Sequence, residues 1–362
     1  MLVHICCAVD SHYFLQKLQQ EYPKERLIGF FYDPNIHPYS EYCLRLLDVK
    51  RSCKMLGIEL IEGAYDTHAW LEAVRGLEQE PEKGVRCAVC FDRRFEISAQ
   101  KAFEIGEKTF TSTLLTSPKK SLKQLQHSGD LLGQKYGIRF IAPDYRKASG
   151  TQEQNILAKK DALYRQDYCG CLFGLTMQRE QQHKLADELF TPVSGQIQPE
   201  SIEARLALYE KRWELEEVKK PYKIVKQRFL NWRLKFAMLK VRKEVVPAHF
   251  LPYSTLKGEY TRGKIEYHTD MLYHMSRDEV KFMTLERYNH LLNTNYISVT
   301  ALIFSPPVFE KELTLRTHLG LLPYDLSATL VVEKIPENKI EVLCQSTTYS
   351  DVREVLLESV EN

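Results

Sequence analysis

The first half of the sequence alternates between helical periodicities and short apolar runs. One helical face shows four-three spacing: Tyr42, Leu46, Val49, Cys53 and Leu56. Gly57 follows this face and is a typical helix stop signal. Five apolar runs predict strands: Leu2–Ala8, Leu27–Tyr32, Ile58–Ile61, Thr109–Leu115 and Ile138–Ile141. Strands that alternate with helices form βαβ units, so we expect an α/β fold built on a largely parallel sheet.

The second half of the sequence has a different pattern. Turn-forming residues cluster at 191–200, and a chain of 362 residues commonly forms two domains. We therefore expect an α/β domain over residues 1–190 and a smaller α+β domain over residues 191–362. Residues 201–219 are predicted helical. Residues 230–238 alternate as in a strand, although the apolar spacing of residues 225–239 also fits a helix. The last two apolar runs, Val299–Phe304 and Ala328–Val332, are predicted to be strands.

Cysteine spacing points to a metal site. Six of the nine cysteines fall in close pairs: Cys6-Cys7, Cys87-x-x-Cys90 and Cys169-Gly-Cys171. No apolar run has the roughly 18 residues that span a bilayer, and the N-terminus lacks the features of a signal peptide. These features predict a cytoplasmic protein with no membrane partner. Disulfides are rare in the cytoplasm, where close cysteines more often bind metal or carry out redox chemistry.

Each cysteine pair can be interpreted in more than one way. Cys87-x-x-Cys90 precedes a helical pattern and fits half a zinc site, a redox dithiol or part of an iron–sulfur site. In an extended segment Cys169 and Cys171 lie on one face, and Gly170 would let the backbone approach an inorganic centre closely. Cys6 and Cys7 can share a site only if the chain turns after the first strand.

The number of candidate ligands exceeds what one metal centre needs. The metal candidates are six cysteines and one carboxylate: Cys6, Cys7, Asp10, Cys87, Cys90, Cys169 and Cys171. A single iron–sulfur cluster takes four ligands, so the excess indicates a cluster with a second metal beside it. A four-thiolate zinc site would leave two of the cysteines unused. Spacing alone does not assign individual sulfurs to either centre. For Cys43, Cys53 and Cys344 we expect buried, inert thiols.

The first loop resembles a nucleotide-binding loop that has lost its glycines. Cys6-Cys7-Ala8-Val9-Asp10-Ser11 stands where ATP pyrophosphatases of the PP-loop type carry Ser-Gly-Gly-x-Asp-Ser. Cysteine and alanine side chains would crowd the backbone amides that bind phosphate. We therefore expect a HUP-like or PP-loop-like domain whose phosphate loop has been rebuilt for metal.

Together these motifs resemble the epoxyqueuosine reductases of the QueH type over about residues 1–180. The first matching motifs are His4-Ile-Cys6-Cys7, Asp33-Pro-Asn35-Ile-His37-Pro38 and Arg86-Cys87-x-x-Cys90. The later ones are Thr113-Leu-Leu-Thr-Ser-Pro118, Asp144-Tyr-Arg146-Lys147 and Leu163-Tyr-Arg165-Gln166-x-Tyr168-Cys169-Gly-Cys171. Many members have cysteine where this chain has Asp10, and often asparagine where it has Asp33. Asp10 is therefore expected to be a carboxylate ligand.

The resemblance implies an oxidoreductase that completes queuosine biosynthesis in tRNA processing. An epoxide on a modified guanosine analogue of tRNA would be deoxygenated with two electrons and two protons. The implied cofactors are a 4Fe-4S cluster and an additional mononuclear iron, and an external electron donor is required. Asp10, Asp144 and Tyr168 are the candidate catalytic residues. The candidate substrate-binding residues are Asn35, His37, Arg146, Lys147 and Arg165.

A basic segment in the second half suggests where RNA would bind. Residues 219–243 contain ten basic residues and no acidic ones, with Tyr222, Phe229, Trp232 and Phe236 interleaved. Basic runs with aromatics are typical of RNA-binding surfaces. An alternative is pairing with residues 323–362, which hold eight acidic and three basic side chains.

Two other functions fit parts of the sequence. An ATP-dependent tRNA thiolase would need an intact phosphate loop, which this chain lacks. A zinc-stabilised tRNA-binding module without catalysis would contain zinc in place of iron and sulfide.

Overall fold

The computed structural model describes residues 1–117, 121–147, 149–190, 194–275, 280–321 and 325–360. The chain divides into two compact units. The first comprises Met1–Leu189 and Arg205–Pro221, and the second comprises Phe190–Ala204 and Tyr222–Asn362. The division differs from a single boundary near residue 190, because Arg205–Pro221 packs with the first unit.

The first unit is built on a five-stranded sheet. Its strands are β1 (Leu2–Ile5), β2 (Ile28–Phe31), β3 (Glu59–Glu62), β4 (Thr109–Ser112) and β5 (Arg139–Phe140). They run in the order β3-β2-β1-β4-β5, and every pairing is parallel. Residues of β1 and β2 are buried on both faces, as helix-covered parallel sheets require. The predicted parallel α/β class is confirmed.

Helices connect and flank these strands. They are α1 (Ala8–Glu21), α2 (Tyr39–Leu56), α3 (Thr67–Ala73), α4 (Val85–Glu104), α5 (Leu122–Tyr136), α6 (Gly150–Lys160), α7 (Leu172–Gln181) and α8 (Ile202–Glu217). α2 ends at Gly57, whose φ of 65° allows the left-handed C-cap. α4 begins at Val85, so the Cys87-x-x-Cys90 motif lies inside the helix and does not precede it.

One predicted strand of the first unit is shorter than expected. The run Thr109–Leu115 forms a strand only as far as Ser112. The Ser112 hydroxyl then accepts a hydrogen bond from the Leu114 N–H and starts a 3₁₀ turn over Thr113–Thr116. This turn takes Thr113 and Leu114 to the carboxyl end of the sheet, where ligands of α/β folds bind.

In its described residues, the second unit combines two sheets with three short helices. Its strands are β6 (Tyr222–Val241), β7 (Glu244–Val246), β8 (His249–Phe250), β9 (Tyr260–Gly263), β10 (Ile265–His268), β11 (Tyr273–Met275), β12 (Val280–Thr284), β13 (Ala328–Val332) and β14 (Ile340–Glu358). The helices are α9 (Leu285–Leu292), α10 (Val299–Phe304) and α11 (Phe309–His318). One sheet has the order β10-β11-β12-β13-β8, and the other has the order β7-β6-β14-β9.

Predictions for the second half were partly wrong. Val299–Phe304 is a helix, because the Ser298 hydroxyl caps its first turn by accepting from the Ala301 N–H. The ambiguous run around Trp232 is a strand, and it extends over Tyr222–Val241. Ala328–Val332 is a strand as predicted. Of the expected turn region, residues 191–193 lie outside the described part of the chain. Within that part, no helix has the length and apolar character to cross a membrane.

Candidate metal centre

The connection from β1 to α1 brings three metal-ligating side chains together. β1 ends at Ile5, and α1 begins at Ala8 with Cys7 as its N-cap. Asp10 lies in the first turn of α1. One ligand atom each of Cys6, Cys7 and Asp10 lies within 4.8 Å of the others. The adjacent cysteines thus share a site because the chain turns between strand and helix.

Two polar side chains from other elements fix this trio. Gln154 of α6 donates to Asp10 Oδ1 at 2.8 Å and to the Val9 carbonyl at 3.3 Å. Thr113 Oγ1 accepts from the Cys6 N–H at 3.3 Å and lies 3.4 Å from Cys6 Sγ. Burial raises the pKa of Asp10 and so disfavours its ionised form. A cation bound beside it would stabilise the carboxylate. Sequence analysis missed Gln154, which belongs to no cysteine motif.

The other four cysteines surround a second, smaller cavity. Cys87 and Cys90 come from α4, while Cys169 and Cys171 come from the loop that leads into α7. The remaining lining residues are Trp70, Arg86, Phe91 and Arg94. Burial raises the pKa of Cys90 to about 12. A buried thiol with so high a pKa becomes a thiolate readily only where a cation is present.

A cavity of about 410 Å³ adjoins the cysteine cavity. Cys169 and Arg94 line both. Cys6 and Asp10 also line the larger cavity. Its other walls are Val9, Asp33, Arg45, Glu82, Leu114, Ser117, Thr151, Gln154, Asn155, Arg165, Gln166, Asp167 and Tyr168. Six of the seven candidate ligands therefore line two adjoining cavities, and Cys7 lies beside Cys6 and Asp10.

Arg45 holds the backbone of the second cysteine loop. The guanidinium donates to the carbonyl of Tyr168 at 3.1 Å and to that of Cys169 at 3.2 Å. Its Nε donates to Glu41 Oε1 at 2.7 Å, so the buried charge is paired. The ring of Tyr168 lies 5.2 Å from the guanidinium carbon. A buried arginine that holds two carbonyls gives this loop a defined conformation.

The Asn35–Pro38 segment supports the same loop from the other side. Ile36 pairs with Cys171 as an isolated β-bridge, and the His37 N–H donates to the Gly170 carbonyl at 2.8 Å. The Tyr168 hydroxyl donates to the His37 carbonyl at 2.7 Å. These contacts are made by backbone atoms of the Asn35–Pro38 segment. They therefore orient the cysteine loop independently of the Asn35 and His37 side chains.

Gly170 has a positive φ that favours glycine, and it packs closely against two neighbouring side chains. Its φ is 97°, and a Cβ there would lie 3.0 Å from Ile36 Cγ1 and 3.1 Å from Arg45 Nη1. We expected Gly170 to give an inorganic centre room, but the atoms nearest to its Cβ position belong to Ile36 and Arg45. The glycine lets the loop pack against its two supports.

Replacing Gly170 with alanine should therefore cost stability and metal together. The strained φ alone costs about 1–3 kcal/mol, and the displaced loop carries Cys169 and Cys171. Thermal unfolding and anaerobic iron and sulfide analysis measure both effects. Gly57→Ala is the matched control, because its φ is 65° and nothing lies within 4 Å of the Cβ position. The control should lose stability but keep full iron and sulfide. Full iron and sulfide in Gly170→Ala would contradict this account.

The predicted substrate residues are distributed unevenly around the larger cavity. Arg165 lines it and donates to Asn155 Oδ1. Tyr168 also lines it, and burial raises the pKa of its phenol. The side chains of Asn35 and His37 are outside its lining. Asn35 Oδ1 and His37 Nδ1 are buried without a hydrogen-bond partner among the described residues.

The Asp144–Lys147 segment also lies outside the cavity lining. Asp144 sits 3.6 Å from Arg146 Nε and 3.9 Å from Lys147 Nζ. Arg146 Nη1 donates to the carbonyl of Ser117, a lining residue, at 3.0 Å. A role for Asp144, Arg146 and Lys147 in catalysis or substrate binding stays a prediction.

Arg94, a buried cation beside the cysteines, is paired with a carboxylate. Arg94 Nη2 donates to Asp33 Oδ1, and both residues line the larger cavity. Burial raises the pKa of Asp33 to about 6, against the opposing effects of Arg94 and Arg45. Asp33 Oδ2 is buried without a hydrogen-bond partner among the residues that the structure describes. Arg45 and Arg94 were missed by sequence analysis, because a single arginine in a helix gives no signal of its burial.

Comparison with known proteins identifies the family. The profile of the family described as Epoxyqueuosine reductase QueH matches residues 1–177. A Helicobacter pylori protein named Epoxyqueuosine reductase QueH is 40% identical over an alignment of 329 residues, which covers 87% of this chain and 89% of that protein. The chain belongs to the QueH family of epoxyqueuosine reductases. It is an oxidoreductase, and its cysteine cluster is consistent with an iron–sulfur cofactor.

QueH relatives differ in how much of this chain they share. The Helicobacter pylori alignment extends well beyond residue 190, so the C-terminal half is not peculiar to this chain. The Thermotoga maritima protein of the same name is 34% identical over an alignment of 189 residues, which covers 51% of this chain and 95% of that protein. That relative therefore has no counterpart of about half of this chain.

A solved structure with an iron–sulfur cluster has a weak likeness to this fold. It is U34-tRNA thiolase NcsA from Methanococcus maripaludis with its [4Fe-4S] cluster, at 16% identity and a TM-score of 0.34. The likeness covers 59% of this chain and 73% of that one. A TM-score of this size carries no argument about function.

Proposed function

We propose that this chain deoxygenates epoxyqueuosine in tRNA to queuosine. The epoxide oxygen leaves as water, and the ring carbons become an alkene. Two electrons and two protons balance the reaction, and the electrons come from an external donor. The observation that carries the proposal is the arrangement of candidate ligands around two adjoining cavities in a chain of the QueH family.

The four-cysteine cavity suits a 4Fe-4S cluster, which is an anion. Cys87, Cys90, Cys169 and Cys171 would supply its four thiolates. Arg86 lines the same cavity, is 1% exposed, and forms no salt bridge with a described acidic side chain. Its Nη1 donates to the carbonyls of Leu77 and Glu78, and its guanidinium lies over the Phe173 ring. A buried cation without a salt bridge is costly, and a bound anion would reduce that cost.

Cys6, Cys7 and Asp10 suit a separate iron. A carboxylate is a hard ligand, and it fits a single iron better than it fits a sulfide-rich cluster. When bound, the two centres would supply the two electrons and a Lewis acid for the epoxide oxygen. Gln154 holds Asp10 Oδ1, so Asp10 Oδ2 stays directed toward Cys6 Sγ, 3.8 Å away.

The larger cavity would hold the modified base. Its 410 Å³ is in the range of small-molecule sites, and Cys6 and Asp10 lie in its wall. Exposed Arg165 can pair with tRNA phosphate there. Tyr168 is the proposed proton donor on this wall. Burial raises the pKa of its phenol, so the phenol stays protonated, and it would exchange its 2.7 Å hydrogen bond to the His37 carbonyl for one to the leaving oxygen.

A turnover assay tests the proposed function. Anaerobically reconstituted protein would be incubated with tRNA that carries epoxyqueuosine and a chemical one-electron reductant. We expect mass spectrometry of the nucleosides to show queuosine, which is lighter by one oxygen atom. Unchanged epoxyqueuosine, or purified protein with stoichiometric zinc and no sulfide, would refute the proposal.

The basic strand β6 is proposed to contact tRNA phosphates. β14 runs antiparallel along the whole of β6, and it places Glu354 opposite Lys226, 3.9 Å away. Three exposed basic residues have no acidic residue directly opposite. Lys223 faces Leu357, Arg228 faces Val352, and Lys235 occupies a register shift. Their charges are available for RNA.

Neutralising these three residues should weaken tRNA binding and flatten its salt dependence. The slope concerned is that of the logarithm of the binding constant against the logarithm of the salt concentration. Each lost phosphate contact should reduce its magnitude by up to about 0.9 on duplex RNA or about 0.7 on single strands. Turnover at saturating tRNA should fall much less than affinity. The variant is Lys223→Gln, Arg228→Gln and Lys235→Gln, and affinity is measured at several salt concentrations.

The control neutralises three exposed lysines outside β6, at Lys257, Lys311 and Lys334. It should keep the wild-type salt slope. If the basic residues of β6 serve only to pair with β14, as Lys226 pairs with Glu354, the β6 variant would bind tRNA with an unchanged salt slope. That outcome would remove β6 from the binding surface.

A further inference from the structure

Three buried N–H groups around the cysteine cavity have no hydrogen-bond partner within the described part of the chain. They are Trp70 Nε1, Arg86 Nε and Arg94 Nε, and all three residues line the cavity formed with Cys87, Cys90, Cys169 and Cys171. A buried donor that loses its hydrogen bonds to water and gains no other acceptor destabilises the fold. Three such donors around four thiols indicate that the acceptor is what the thiols bind.

Of the three donors, the Trp70 N–H is the one that packing alone explains least. Its side chain is fully buried, at 0% exposure, and it packs against Phe173 with ring centroids 6.1 Å apart. Apolar packing would be served equally by a phenyl ring, which has no N–H to satisfy. The Trp70 side chain packs in one buried cluster with Cys171, and Cys90 packs against that cluster, so the indole lies beside two of the four thiols.

The two arginines differ from Trp70 because each has other partners. Arg94 pairs with Asp33, and Arg86 donates to the carbonyls of Leu77 and Glu78. Replacing either would disturb an ion pair or a loop as well as the cavity. Trp70 thus gives a cleaner test of what the buried donors do.

We infer that Trp70 is a positioning residue whose Nε1–H donates a hydrogen bond to the sulfur ligands of the bound cluster and raises its reduction potential. This inference rests on the proposed function, which supplies the cluster. Hydrogen bonds to cluster sulfurs stabilise the more negative, reduced state. Electron transfer from an external donor is then easier than it would be to the same cluster in an apolar pocket.

The test is Trp70→Phe, which keeps an aromatic ring against Phe173 and removes the donor together with part of the ring volume. We expect iron and sulfide contents to match wild type and the midpoint potential to shift to a more negative value. The potential is measured by redox titration followed by electron paramagnetic resonance, without tRNA. Trp213→Phe is the control, because Trp213 lies on α8 under Lys54 and lines neither cavity. Its potential should equal that of wild type. An unchanged potential in loaded Trp70→Phe would overturn the inference.

If Trp70→Phe takes up no cluster, its potential cannot be measured. A second experiment then uses isotope-labelled wild-type protein. With isotope-labelled indole nitrogen, pulsed electron paramagnetic resonance of the reduced cluster should detect a nitrogen coupling. Absence of that coupling would also overturn the inference. Protein that loads a cluster but leaves epoxyqueuosine unchanged would refute only the proposed function, since both readouts need no turnover.

Discussion

Alanine in place of Cys90 should abolish epoxyqueuosine reduction and cluster binding together. Cys90 is one of four thiols around a single small cavity, and its burial leaves no water to take its place as a ligand. We expect turnover below detection, with loss of acid-labile sulfide and of the broad visible absorption of the cluster. Anaerobic iron and sulfide analysis and the nucleoside assay measure these quantities. Alanine at Cys87, Cys169 or Cys171 should give the same result.

Cys344→Ala is the matched control for this loss. Cys344 is also a buried cysteine, with 1% exposure, but its Sγ donates to the Ser254 carbonyl at 3.4 Å and it lines neither cavity. Iron, sulfide and turnover should stay at wild-type values. A Cys90→Ala protein that kept sulfide and turnover would show that the cluster is held elsewhere.

The sequence predicted the layout of the first unit because its signals are local. Apolar runs and helical spacing mark β1 to β5 and α2, and Gly57 marks a helix end through its own φ. The grouping of Cys6 with Asp10 followed from the expectation of a turn after β1. Such features depend on residues close together in the chain, which a single sequence displays.

The supports of the site could not be predicted in the same way. Gln154 reaches Asp10 from α6, and Trp70 reaches the cysteine cavity from α3. Both contacts depend on how distant segments pack, which no local pattern encodes. The prediction of a strand at Val299–Phe304 was wrong for a different reason, since its sequence signal was ambiguous. A short apolar run with β-branched residues fits strand and helix equally, and the Ser298 cap decided between them.

Asp10→Ala should remove the separate iron while leaving the cluster in place. Asp10 is the only carboxylate of its trio, and a hard oxygen ligand suits a single ferrous ion. We expect sulfide content to stay at the wild-type value, iron to fall relative to sulfide, and turnover to drop by more than about 100-fold, since even residues that only orient a ligand contribute about 10–100-fold. Iron-to-sulfide ratios from anaerobic protein, measured beside turnover, check all three.

Gln154→Ala should cause a weaker loss of the separate iron than Asp10→Ala does. Gln154 orients Asp10 through the 2.8 Å hydrogen bond but offers no ligand itself. Its loss should weaken iron affinity by about 10–100-fold, and excess iron should restore turnover. Asp130→Ala, which changes an exposed carboxylate of α5, should alter neither quantity. Restoration by iron separates a residue that orients a ligand from one that binds the metal, because Asp10→Ala should stay inactive at the same iron concentration. Full iron occupancy and full turnover in Asp10→Ala would show that Asp10 is not a ligand.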